Sequence, residues 1–189
     1  MPGQITRSGF LGSALALALA PAALADAPAD SDLANARLLV ALELLLADFY
    51  GRALKADRLG APGREALRRA RFNETEHLAA VSGILTGAGQ TPATAADIDF
   101  TYPGKTFGSR GAIAKTAATL ERLAVGAYLG AVQSTKSAAL TLPLARIAAV
   151  EARHLTVFEG ESTGHSLDNS FADALSIDVA STALGAYTS

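Results

Sequence analysis

The amino-acid sequence predicts an all-α protein: a four-helix bundle with one long crossover between helices 2 and 3. Three observations support this fold class. Apolar residues recur with helical periodicity along four segments, and no strand-like alternation is present. Glycines and prolines cluster between the second and third segments, at Gly87, Gly89, Pro92, Pro103, Gly104 and Gly108. The second connection is several times longer than the first and third, which is the pattern of a one-crossover bundle.

The four helices are placed by apolar periodicity and by their terminal residues. We predict helices over residues 32–59, 62–85, 109–137 and 141–160. Ser31 or Asp32 can cap the first helix, because a short polar side chain can accept a hydrogen bond from a free backbone N–H. Pro62 and Pro143 fit the first turns of the second and fourth helices, where no N–H is needed. Short connections join helices 1 to 2 and 3 to 4, so each pair should form an antiparallel hairpin.

The connection over residues 87–108 is too rich in Gly and Pro to be helical. Extended, about 20 residues reach roughly 65 Å, whereas helices of this length give a bundle about 35–40 Å tall. The connection can therefore cross the full height of the bundle. In the third helix, Gly126 and Gly130 either weaken its second half or mark a close helix contact.

The chain divides into three predicted regions. Residues 1–25 are predicted to be an export signal peptide, residues 26–163 the bundle, and residues 164–189 a C-terminal tail with a short helix near 170–175. His165 in the tail is predicted to lie at the surface.

The export prediction comes from the order of charge and apolarity in the first region. Arg7 supplies a positive start, an apolar run follows, and Ala23-Leu24-Ala25 forms a small-residue exit. We therefore expect an exported protein, periplasmic or extracellular, with no stable membrane insertion after cleavage. An uncleaved membrane anchor is the alternative, although the run is short for a transmembrane span.

Composition excludes several classes of function. The chain of 189 residues has a formal net charge of −2, so no basic surplus exists to bind nucleic acid. It contains no cysteine, which excludes disulfides, thiol nucleophiles and cysteine-ligated metals. It contains three histidines, so their positions are informative.

Each predicted helix carries one Glu inside its apolar stripe, and two helices add a His three residues later. The six residues are Glu43, Glu74, His77, Glu121, Glu151 and His154. An i, i+3 spacing places both side chains of a Glu-x-x-His pair on one face of a helix. One Glu from each of two helices and a Glu-x-x-His from each of the other two is the ligand set of a di-iron or di-manganese carboxylate site.

The charge of this set also points to metal. Each Glu lies about 10–12 residues into its helix, so all four carboxylates should fall in one layer. Four ionised carboxylates in an apolar core repel each other and are poorly solvated, and two divalent cations would neutralise them. We predict two Fe or two Mn ions, with Glu74 and Glu151 as bridges and Glu43 and Glu121 as terminal ligands. Each His would bind one ion through one ring nitrogen, and the acceptor for its second nitrogen is not identified by the sequence.

Three stretches of the chain carry a family resemblance. Residues 118–128, residues 147–154 and Ile98-Asp99-Phe100 resemble the ferritin-like superfamily, in particular the exported ferritin-like domain family that includes the desiccation-related proteins. The resemblance covers residues 32–160. It implies iron or manganese bridged by carboxylates and reacting with dioxygen or peroxide.

Three functions are compatible with this site. The first is redox or oxidative-stress chemistry on dioxygen or peroxide; the second is a non-catalytic stress- or desiccation-protective bundle that metal stabilises. The third is an iron-storage cage subunit, against which the signal and the tail argue. A homodimer is a possible assembly. Tyr50 and Tyr128, each seven residues after a candidate ligand, are predicted core residues whose hydroxyls need a partner, and a role beside the metal is the alternative.

Overall fold

The structure is a computed structural model that describes residues 27–164 and 170–189. The predicted signal peptide and His165 lie outside the described residues. Within these ranges the chain forms five α-helices, and the one β-pairing is an isolated bridge between Phe100 and Thr188. The helices are α1 (Asp30–Ala56), α2 (Ala61–Gly87), α3 (Arg110–Ser134), α4 (Ala138–Thr163) and α5 (Ile177–Gly185).

The directions of the helices follow from contacts near their ends. Arg37 Nη2 at the start of α1 donates to Gln90 Oε1 just beyond α2, at 2.8 Å. Asn35 Nδ2, also near the start of α1, donates to Ser134 Oγ at the end of α3, at 3.0 Å. Both α2 and α3 therefore run antiparallel to α1 and parallel to each other. The connection between them has to cross the height of the bundle, which confirms the predicted fold class.

The apolar core lies between the two hairpins, and α1 and α3 form its centre. Leu45, Leu46, Phe49, Ile113 and Leu120 have no exposed surface. The α1–α2 and α3–α4 pairs pack most extensively, whereas α2 and α4 meet at few points. Among the described residues, no helix combines the length and apolarity needed to cross a membrane.

The fourth helix begins earlier than predicted. It starts at Ala138 rather than at 141, so Pro143 lies inside it instead of in its first turn. Pro143 has no N–H to donate to the carbonyl of Ala139, one turn earlier. Ala139 is exposed, so water can satisfy that carbonyl, and the helix continues through the proline.

The prediction of a short helix near 170–175 is wrong. The residues from 170 to 176 are not helical, and the last helix, α5, begins at Ile177. Ser176 caps it, because its Oγ accepts a hydrogen bond from Val179 N at 3.4 Å. The helix buries the apolar pair Ala180 and Leu184, which is a short signal in the sequence.

The C-terminal segment packs on the bundle rather than extending from it. Leu175 N donates to Gly126 O at 2.8 Å, and a Cβ at Gly130 would lie 1.7 Å from Leu175 O. The two glycines of α3 thus mark a close contact, but with the segment before α5 and not with another helix. Beyond α5, Thr101 N donates to Tyr187 O at 2.8 Å, which fastens the end of the chain to the crossover.

Candidate metal centre

The six residues singled out in the sequence converge in the middle of the bundle. All four glutamates have no exposed surface, and both histidines are 8% exposed. They are Glu43 on α1, Glu74 and His77 on α2, Glu121 on α3, and Glu151 and His154 on α4. We call these six residues the Glu–His cluster. The helical stripes that carry them are otherwise apolar, so packing of the core itself brings the carboxylates together.

His77 turns one ring nitrogen toward three carboxylates. Its Nδ1 lies 2.6 Å from Glu151 Oε1, 3.2 Å from Glu74 Oε2 and 3.9 Å from Glu43 Oε2. A single N–H cannot make full hydrogen bonds to three oxygens at once. The arrangement therefore supplies more acceptors than the ring can satisfy.

His154 repeats this arrangement in the other half of the cluster. Its Nδ1 lies 3.0 Å from Glu74 Oε1, 3.1 Å from Glu151 Oε2 and 3.5 Å from Glu121 Oε1. The two imidazole rings lie 6.4 Å apart between centroids. Each half thus has one ring nitrogen surrounded by three carboxylates.

Two of the glutamates belong to both halves. The donor atoms of Glu43, Glu74, His77 and Glu151 lie within 4.8 Å of one another, and so do those of Glu74, Glu121, Glu151 and His154. Glu74 and Glu151 occur in both groups. Each group is large enough and close enough to surround a metal ion, and the two shared carboxylates stand between the two positions.

Each of the four carboxylates has one buried oxygen that receives no well-directed hydrogen bond: Glu43 Oε2, Glu74 Oε1, Glu121 Oε2 and Glu151 Oε1. A histidine Nδ1 lies close to Glu74 Oε1 and to Glu151 Oε1, but off the direction of a hydrogen bond. Such atoms are costly in a core, because a buried carboxylate oxygen loses its water without gaining a donor. A donor set of carboxylate oxygens and imidazole nitrogens fits divalent cations, which could be bound at these oxygens.

Tyr50 and Tyr128 each donate a hydrogen bond to a carboxylate of the cluster. Tyr50 on α1 donates to Glu121 Oε1 on α3, and Tyr128 on α3 donates to Glu43 Oε1 on α1. Both tyrosines have no exposed surface. The partners of the two tyrosine hydroxyls, which the sequence did not reveal, are therefore Glu121 and Glu43. Each of these glutamates belongs to only one half of the cluster.

Burial and mutual repulsion raise the pKa of two cluster carboxyls. Loss of water raises the pKa of Glu43 and of Glu121 well above the usual value, and the charges of Glu151 and Glu74 raise both further. Without a cation, these two carboxyls are therefore driven to take up protons. The same causes raise the pKa of Tyr50 and Tyr128, so both phenols remain protonated donors.

The pKa values of the two histidines are raised and that of Glu151 is lowered, as in an ion pair. Burial alone would lower the pKa of His77, but hydrogen bonds to Glu151 and Glu74 raise it to about 9. For His154, burial is likewise outweighed by hydrogen bonds to Glu121, Glu151 and Glu74, and the pKa rises to about 12. Burial raises the pKa of Glu151, yet hydrogen bonds from His154 and His77 lower it to about 2. In the metal-free protein, protons on the two rings take the place of cations.

A groove between α2 and α4 reaches the outer edge of the cluster. Its volume is about 660 Å³, and it is lined by arginines, by Phe72 and Val157, and by Asn73 and His154. His77 is not among its lining residues. The cluster is thus approached from this groove on the His154 side.

One contact of the cluster has no counterpart in the sequence-based prediction. The side-chain amide of Asn73 lies 2.9 Å from His154 Nε2, the ring nitrogen that faces away from the carboxylates. Sequence spacing could not reveal this partner, because Asn73 and His154 lie on different helices and 81 positions apart. The one available signal was that Asn73 directly precedes a candidate ligand.

Fold and cluster together define a helical bundle with a buried carboxylate–histidine centre. A profile of the ferritin-like domain family matches residues 31–162, most of the chain. The chain belongs to the ferritin-like domain family. A search of curated proteins returns no match.

Proposed function

We propose that this protein binds two iron or two manganese ions in the Glu–His cluster and uses them in redox or oxidative-stress chemistry on dioxygen or peroxide. The observation that carries the proposal is the pair of overlapping four-residue groups with Glu74 and Glu151 in common. The buried oxygens that receive no well-directed hydrogen bond support it, because cations would satisfy them.

Each residue of the cluster has a distinct place in this proposal. Glu74 and Glu151 would be ligands of both ions, Glu43 and His77 of one, and Glu121 and His154 of the other. The hydroxyls of Tyr50 and Tyr128 would fix the orientation of the terminal carboxylates Glu121 and Glu43 through their hydrogen bonds. Four carboxylates would balance the charge of two divalent ions. Two such ions would supply one electron each to dioxygen or peroxide.

Export is part of the proposal. It rests on the charged start, apolar run and small-residue exit of residues 1–25. Edman sequencing of the protein recovered from the medium or periplasm tests it, with an N-terminus at Asp26 as the expected result. An N-terminus at the initiator region would contradict it.

Metal binding is tested on the purified full chain. After anaerobic reconstitution with Fe²⁺ or Mn²⁺ and removal of excess ions, elemental analysis should give about two ions per chain. Glu74→Gln should reduce this number, because Glu74 belongs to both groups. Glu65→Gln is the matched control, since Glu65 is a half-exposed carboxylate on the same helix. Less than about half an ion per wild-type chain would overturn the proposal.

Turnover separates the redox function from its alternative. Peroxide consumption and Fe²⁺ oxidation by the reconstituted protein, absent in Glu74→Gln, would support redox chemistry. Binding without turnover, together with a large loss of thermal stability on chelation, would instead favour a stress- or desiccation-protective bundle stabilised by metal.

A further inference from the structure

The two halves of the Glu–His cluster are alike in their inner contacts but differ at the outer edge of the histidine. Both rings direct Nδ1 at three carboxylates. On the far side of the ring, His154 Nε2 meets the amide of Asn73 at 2.9 Å. Within residues 27–164 and 170–189, no side chain makes the corresponding hydrogen bond to His77 Nε2.

The sequence accounts for the difference. Asn73 directly precedes Glu74 in the Glu-x-x-His of α2, and the equivalent position in α4, before Glu151, is Val150. Both positions are half-buried, so they are comparable in setting. Valine has no polar side-chain atom, so Val150 cannot make with His77 the hydrogen bond that Asn73 makes with His154.

The amide of Asn73 bears on how His154 can bind a cation. A neutral imidazole that binds through Nδ1 carries its proton on Nε2, and that N–H needs an acceptor. The side-chain oxygen of Asn73 can serve once the amide is turned to present it, since rotation exchanges its oxygen and nitrogen. A fixed acceptor holds the ring in one tautomer and one orientation.

We propose that Asn73 is a positioning residue for His154, and that it makes the two metal positions unequal. The position formed by Glu74, Glu121, Glu151 and His154 binds its ion more tightly than the one that contains Glu43 and His77. The proposal rests on the proposed function in so far as the cluster must bind metal. The groove strengthens the argument, because it brings solvent to this edge of His154, where mobile water would be a less fixed acceptor than Asn73.

The test is a titration of the full chain with Co²⁺, followed by visible absorption in competition with a chelator. Wild type should show two binding steps of different affinity. Asn73→Val, which copies the α4 residue, should weaken the tighter step by about 10–100-fold and leave the other step unchanged. Asn73→Asp keeps an acceptor oxygen and should retain both steps. Asn73→Ala removes the acceptor without a β-branched side chain and should reproduce Asn73→Val if that variant folds poorly.

The outcomes are distinct. Loss confined to the tighter step, rescued by Asn73→Asp, supports the positioning role. Equal weakening of both steps, or no change in either, overturns it and leaves Asn73 as a link between α2 and α4. A wild-type chain that binds no Co²⁺, Fe²⁺ or Mn²⁺ overturns the proposed function itself, which is a separate result.

Discussion

Tyr50 on α1 donates a hydrogen bond to Glu121 on α3, and its counterpart Tyr128 on α3 donates to Glu43 on α1. Each tyrosine follows its own helix's glutamate by seven residues, yet it serves the glutamate of the other helix. These reciprocal hydrogen bonds are possible because α1 and α3 run antiparallel. The two pairs therefore tie the central helices together at the level of the Glu–His cluster.

Removing either hydroxyl should affect both stability and metal affinity. We expect Tyr50→Phe and Tyr128→Phe each to lower the free energy of unfolding by about 1–3 kcal/mol, because a buried carboxylate oxygen loses its donor. Each should also weaken metal binding at the half that contains its partner glutamate. Urea denaturation and Co²⁺ titration measure the two effects.

Tyr102→Phe is the matched control for these variants. The Tyr102 hydroxyl donates to Asp48 Oδ2 at 2.8 Å, outside the cluster. The control variant should lose some stability but bind metal as wild type does. If Tyr50→Phe and Tyr128→Phe also bind metal with wild-type affinity, the role assigned to the two hydroxyls is contradicted.

The metal-free protein should become less stable as the pH rises. The folded-state pKa of His77 is about 9 and that of His154 is about 12, both above the ordinary 6.5. From pH 6.5 upward the unfolded chain therefore releases protons that the folded chain keeps, so the free energy of unfolding falls as the pH passes through about 9. The raised pKa of Glu43 and Glu121 acts in the same direction. Urea denaturation of chelator-treated protein across this range measures the slope.

The metal-loaded protein is the control for this pH dependence. Cations bind deprotonated ligands, so metal affinity and the stability that it adds should increase with pH. A metal-free chain whose stability rises between neutral and alkaline pH would contradict the prediction.

Asp32 should stabilise the junction between the two hairpins. Its carboxylate, 3% exposed, accepts hydrogen bonds from Lys136 N at 2.9 Å and from Ser137 N at 3.1 Å, in the turn before α4. Asp32→Ala should lower the free energy of unfolding by about 1.5–3 kcal/mol, because two backbone donors lose a charged acceptor. Asp30→Ala, an exposed change in the same first turn, should cost less than about 1 kcal/mol. Similar losses in both variants, measured by thermal unfolding, would refute the assignment.

Replacing Gly130 should destabilise the protein, because the segment before α5 passes directly over it. A Cβ there would lie 1.7 Å from the backbone oxygen of Leu175, so Gly130→Ala should displace the segment before α5 and cost about 1–3 kcal/mol. Gly83 is the matched control: it lies exposed in α2, and a Cβ there would meet no neighbouring atom within 4 Å. Gly83→Ala should gain about 0.5–1 kcal/mol. Limited proteolysis near residue 175 should be faster in Gly130→Ala alone, and unchanged cleavage would argue against the contact.

Much of this architecture was predictable from local patterns. The period of apolar residues located four helices, and the Gly- and Pro-rich stretch located the crossover. Helix ends were less predictable: Pro143 indicated a first turn but lies inside α4, because an exposed carbonyl tolerates the missing N–H. The tail helix was misplaced, since its short apolar pair at Ala180 and Leu184 is a weak signal.

Spacing along single helices was enough to predict the helical fold class and the six residues of the Glu–His cluster, because it decides which side chains share the buried face of a helix. The packing of separate elements sets which residues far apart in the chain meet: Tyr50 with Glu121, Asn73 with His154, and Gly130 with Leu175. These pairs depend on the direction and separation of packed elements, and no spacing along a single segment encodes either quantity.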